Sequence, residues 1–160
     1  MKIGSPYIAL YGPEARREDI ERMFGCLPRM IGNCEIQGMV LSFANRRGDR
    51  GTVPTIIPGD GVTDAMIFHC EYYQQRRLER RLWYPMGIQR GTFDSIVEGK
   101  HPCRVMTYYV PLIRPRGEPD EALVRKMEEL YRENAWDARR LETAIETSKT
   151  SKEPVIRRIK

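Results

Sequence analysis

Four groups of residues have side-chain types and spacings that could do chemistry. His69-Cys70-Glu71 followed by Pro102-Cys103 resembles the ligand set of a zinc deaminase, which needs three metal ligands and a glutamate that shuttles a proton. The third ligand fails, because Met106 stands three residues after Cys103. His101 and Cys103 form a second pair with nucleophile and base character. On a strand they would share a face about 7 Å apart, too far for one to activate the other. Gly59-Asp60-Gly61 has the composition of a phosphate cradle but lacks the Lys-Ser/Thr pair and the following helix, so it predicts a hairpin turn. The fourth group is Arg76, Arg77, Arg80 and Arg81, followed by Trp83 and Tyr84. It predicts a solvated charged face or a guanidinium wall beside an anionic ligand, with aromatic rings for stacking.

The elements that must position these residues follow from hydrophobic patterning. Pro6–Tyr11 predicts a buried strand that stops at Gly12-Pro13, and 14–23 a short helix with Pro13 at its first position. Residues 26–32 read as a loop, and 34–43 as a second strand. A polar turn over 46–51 leads to strands over 52–57 and 62–70, divided by Pro58-Gly59-Asp60-Gly61. A helix is predicted over 71–83, then strands over 92–97 and 103–112 around Glu98-Gly99-Lys100. Leu123, Met127, Leu130 and Tyr131 make a helical stripe after Asp120. A last helix, capped by Asp137, runs to Thr147 with Leu141, Ala144 and Ile145 on its face. This order predicts an α+β fold, a small mixed sheet that closes into a barrel-like form, with flanking helices and two C-terminal helices.

Composition limits the function classes. The chain has 160 residues, 41% hydrophobic and 31% charged, which suits one packed domain and excludes disorder. The expected boundaries are a single domain over 1–147 and a basic, flexible tail over 148–160. The net charge is +5, and the last fourteen residues supply +4 of it, through Lys149, Lys152, Arg157, Arg158 and Lys160 against Glu153. The body is nearly neutral, so nucleic acid is not the expected partner. No apolar run approaches the ~18 residues of a membrane span. The cysteines, at 26, 34, 70 and 103, form no C-x-x-C pair, and no secretory h-region precedes them. A reduced, cytoplasmic protein is expected.

The order of landmarks resembles the γ-glutamylcyclotransferase-like superfamily, including its AIG2-like members. Tyr7-Ile8-Ala9-Leu10-Tyr11-Gly12-Pro13-Glu14 is similar to the family's opening strand and Tyr-Gly-Ser/Thr turn. Phe43, then Thr55-Ile56-Ile57-Pro58-Gly59, follow in the family's order. Leu78-Glu79-Arg80-Arg81-Leu82-Trp83 resembles the helix motif Leu-Asp-x-x-Glu-Gly, with Tyr84-Pro85 after it. Leu130 to Asp137 and Arg139 to Ile145 match its two closing helices. The resemblance covers about residues 6 to 147.

The resemblance implies an activity that the residues here do not support. In the family the motif glutamate is a general acid/base in closure of 5-oxoproline from γ-glutamyl substrates. Leu82 takes that position, and losing such a group typically forfeits ~10²–10⁴ in rate. Trp83 replaces the motif glycine and is expected to fill space near the pocket. Ile88 stands where many members have tyrosine. Pro13 removes one N–H from the turn that the resemblance makes a carboxylate cradle. Glu79, in place of the family's Asp, and Glu14 are the acids that could substitute.

The resulting expectation is a catalytically degenerate member that binds a small anionic ligand without turnover, with a nucleotide-derived signal among the candidates. Its site would comprise Tyr11, Gly12, Pro13, Glu14, Glu79, Leu82, Trp83, Tyr84 and Arg90, together with the Arg76–Arg81 cluster. The alternatives are an interaction module with a vestigial pocket, and an active cyclotransferase with a relocated acid, Glu79 or Glu14. No metal or cofactor is implied. If the barrel exposes one sheet edge, a homodimer through it is expected.

Overall fold

The computed structural model describes residues 7–46, 51–151 and 153–155. Five strands close into a barrel in the order β1-β3-β2-β4-β5: β1 (Tyr7–Leu10), β2 (Arg29–Asn45), β3 (Thr52–His69), β4 (Gln89–Val97) and β5 (His101–Tyr109). β1 is antiparallel to β3 and parallel to β5, so the sheet is mixed. Among the described residues four α-helices surround it: α1 (Arg17–Phe24), α2 (Tyr72–Leu82), α3 (Glu121–Glu133) and α4 (Ala138–Thr150). The α+β class and the barrel-like closure agree with the sequence pattern. Among the described residues, no helix is long and apolar enough to cross a membrane.

The long hairpin differs from the expected three short strands. β2 and β3 pair from Arg29↔His69 to Asn45↔Thr52. Gly59-Asp60-Gly61 is therefore no hairpin turn. It lies within one continuous strand, where the register jumps between Gln37↔Val62 and Met39↔Pro58. Gly38 takes the shorter side of this bulge at φ +72°, a conformation that glycine adopts without steric cost. Residues 29–32, read as loop, join β2 because β3 offers them a ladder that local sequence cannot show. The expected polar turn at 46–51 falls largely outside the described residues.

The helices follow their end signals closely. Glu71 and Gln74 form a reciprocal capping box at the start of α2. Asp120 accepts a hydrogen bond from the Leu123 N–H, and Asp137 from the Arg139 N–H, as expected of N-caps. Pro13 opens a 3-10 turn over Pro13–Ala15, separate from α1, which begins at Arg17. α4 continues three residues past the expected end at Thr147, and Ser148 is buried on it. Of the basic tail expected over 148–160, residues 148–150 belong to α4, and 152 and 156–160 lie outside the described residues. The apolar core takes in Ile8, Leu10, Ile36, Phe43, Ile56, Ile67 and Val105 from the strands and Leu78 from α2.

Candidate functional site

A cavity of about 220 Å³ opens where the end of β1, the 3-10 turn, the C-terminal end of α2 and β5 meet. Tyr11, Pro13, Glu14, Leu82, Ile88 and Tyr108 line it, with Arg46 on the wall near the hairpin end. Strand β1 stops at Leu10, and the Gly12-Pro13 turn brings Glu14 back across the opening. The need for glycine at 12 is steric. A Cβ there would lie 2.7 Å from Glu14 Oε2 and 3.1 Å from the Pro54 side chain. The Glu14 carboxylate thus lies directly over Gly12, and it accepts a hydrogen bond from its own backbone N–H. Burial raises its pKa above the usual carboxylate range, against the opposing pull of that N–H and of the Arg46 guanidinium.

Glu79 sits behind this wall rather than on it. Its Oε2 accepts hydrogen bonds from Tyr108 Oη at 2.8 Å, Arg90 Nη1 at 2.7 Å and Gln75 Nε2 at 3.4 Å. Tyr11 Oη donates in turn to the Tyr108 carbonyl, so both tyrosines are fixed. Burial first, then the Glu79 carboxylate, pushes the Tyr108 phenol upward. Burial first, then Glu14, does the same for Tyr11. Both phenols therefore stay protonated and act as donors. Arg90 also lies over the Tyr84 ring at 4.9 Å, and Tyr84 packs edge-on against Tyr108.

The structure divides the expected site residues. Tyr11, Pro13, Glu14 and Leu82 line the cavity, and Gly12 carries the turn. Glu79, Tyr84 and Arg90 form the supporting network and do not line it. Trp83 does not fill space near the pocket. It ends α2 in the left-handed conformation, φ +64°, and is 54% exposed. The Arg76–Arg81 cluster is also absent from the cavity wall, because it occupies the outer half of α2. Sequence reasoning missed Arg46, Thr107 and Tyr108. Arg46 donates to the carbonyl oxygens of Leu82 and Met86 at 2.8 and 3.2 Å, which ties the hairpin to the end of α2. No local signal marks it, since its partners lie 36 and 40 residues away.

The other candidate sites are not assembled. The His69 ring packs against Tyr7 at 5.0 Å, Cys70 is buried, and Glu71 caps α2. Burial pushes the Cys70 thiol up to about 12. His101 is exposed on β5, and the Cys103 thiol donates to the Arg104 carbonyl. Among the described residues no group of three or more His, Cys, Asp and Glu is placed to hold a metal.

Similar architectures are found among solved structures. A γ-glutamyl cyclotransferase superposes with a TM-score of 0.75 over 93% of this chain and 89% of its own, at 15% identity. An uncharacterized human protein gives 0.74 over 98% and 94%, at 16% identity. The chain has the γ-glutamylcyclotransferase-like fold. A mouse AIG2-like protein matches a smaller part, 68% of this chain and 78% of its own, with a TM-score of 0.54 and 16% identity. No protein-family model and no curated protein matches the sequence. The γ-glutamylcyclotransferase-like fold is therefore retained at a sequence distance where side-chain chemistry must be judged from the site itself.

Proposed function

We propose that this γ-glutamylcyclotransferase-like protein binds a small ligand in the β1–α2 cavity without converting it. One observation carries the reading. Leu82 occupies the cavity wall where the resemblance calls for a proton-transferring glutamate, while the acid one turn earlier, Glu79, is held by three donors behind that wall. A carboxylate bonded to a guanidinium and a phenol behind the cavity wall is poorly placed to exchange protons with a ligand. The cavity lies below the ~300–1,000 Å³ common for drug-sized ligands, which favours an amino-acid-sized molecule over a nucleotide. Its anionic group would face Arg46, because Glu14 already covers the Gly12 turn with a carboxylate of its own.

The test is a thermal-shift screen of small carboxylates, γ-glutamyl amino acids, amines and nucleotides, run beside an assay for 5-oxoproline. A ligand at a hundred times its Kd adds ~2.7 kcal/mol, or roughly 5–10 °C for a domain of this size. The expected result is a shift with a small carboxylate, reduced in Arg46→Gln, and no 5-oxoproline from any γ-glutamyl compound. Release of 5-oxoproline that disappears in Glu14→Gln would replace this reading with catalysis by a relocated acid. A panel with no shift at all would replace it with an interaction role.

A further inference from the structure

The outer half of α2 carries a surface that the cavity does not use. Tyr72, Arg76 and Arg80 follow one another at four-residue steps, and so do Tyr73, Arg77 and Arg81. Two parallel rows of one tyrosine and two arginines thus run along the helix for about 14 Å. All six residues are exposed, Tyr72 at 65% and Tyr73 at 62%. The inner half holds Gln74, Gln75, Leu78 and Glu79, all buried.

The charge of this surface is not balanced by its neighbours. Among the described residues, none of the four arginines is in an ion pair. The two acids of the helix region are committed elsewhere, Glu71 to the capping box and Glu79 to Arg90. Aromatic rings are already ordered beside the guanidinium groups. Arg76 lies over the Tyr72 ring at 5.8 Å and donates to its hydroxyl at 3.1 Å. Tyr73 Oη is in contact with Cys26 Sγ at 3.4 Å, and the Arg77 side chain lies against Gly25. Exposed rings with fixed faces and unbalanced guanidinium groups at one-turn spacing match a single-stranded polynucleotide, whose bases stack and whose phosphates pair with arginine. An anionic membrane would instead call for aliphatic side chains on this face, and the six positions hold none.

We propose that the outer face of α2 is a binding surface for single-stranded nucleic acid. The surface is separate from the β1–α2 cavity, so the proposal does not depend on what the cavity holds. It also relocates the basic interaction surface from the tail, where the sequence concentrates net charge, to a folded helix.

The experiment is fluorescence anisotropy of the full chain with labelled RNA and DNA dodecamers of one unstructured sequence, across 50–300 mM salt. Single strands lose affinity with a log–log slope of about −0.7 per phosphate neutralised, so four arginines predict a slope of roughly −2 to −3. Arg76→Ala with Arg80→Ala should flatten the slope by about 1.4. Tyr72→Ala with Tyr73→Ala should weaken binding at least about fivefold and leave the slope unchanged. Circular dichroism and the melting temperature verify that both variants fold. A stronger signal from the RNA arm or from the DNA arm identifies the source of the strand. The proposal is overturned by an absence of binding at 50 mM salt. It is equally overturned if Arg157→Ala, Arg158→Ala and Lys160→Ala abolish binding while the α2 variants retain it. Equal competition by polyglutamate, or by vesicles containing phosphatidylserine, would show that charge alone is being read and would overturn it too.

Discussion

The two halves of α2 treat charge in opposite ways. On the inner half one carboxylate, Glu79, is only 10% exposed and receives three hydrogen bonds. On the outer half four guanidinium groups face solvent and make no ion pair among the described residues. The inner group has left water, so its partners must compensate the lost hydration, and they hold it in place. The outer groups keep their hydration and cost little, so they are available to a partner. The helix thus carries a hydrogen-bonded anchor on one side and an open charged surface on the other.

The largest effect expected from breaking this contrast is on the inner half. Glu79→Ala would leave the Tyr108 hydroxyl buried without its acceptor, and should cost about 2–4 kcal/mol in urea unfolding. Adding Tyr108→Phe should recover part of that loss, because removing both partners is cheaper than stranding one. If Glu79→Ala costs under about 0.5 kcal/mol, the network does not anchor the helix.

A smaller effect is expected where the two halves end. Trp83 holds the left-handed conformation that suits glycine, the residue that the family motif has there. Trp83→Gly should raise stability by up to about 1 kcal/mol through relief of that strain. A clear fall in melting temperature would mean that the indole itself holds the helix end.

The smallest effect concerns pH, and it falls on Glu14. Burial raises the Glu14 pKa, so the folded state holds its proton more tightly than the unfolded chain does. Stability from this group is therefore present at low pH and lost as pH rises above the ordinary carboxylate value of about 4.3. Glu14→Gln should gain on the wild type between pH 4 and 7, as read from the difference in melting temperature. A difference that stays constant over that range would place Glu14 in water.

Much of the architecture was legible in local pattern. The helix starts at Asp120 and Asp137, the stripe through Met127 and Leu130, and the α+β order all act over a few residues, and the fold agrees with them. The candidate site was legible in part. Tyr11, Pro13, Glu14 and Leu82 do meet at one cavity, because the strand end and the helix end that carry them are neighbours in the barrel. The bulge at Gly59–Gly61 was not legible. Its composition suits a turn, and only the partner strand β2 keeps it extended.

The sequence by itself determined which groups exist: a leucine at position 82, a proline without an N–H at position 13, and four arginines at helical spacing. It also determined that α2 would be amphipathic, since periodicity is a property of the chain alone. Only the tertiary structure decided which groups became committed. Closure of the barrel put Tyr108 and Arg90 against Glu79, set Arg46 beside the cavity and turned Trp83 outward. The physical reason is that desolvation depends on what packs against a group. That packing comes from strands and loops 11 to 97 residues away in the chain.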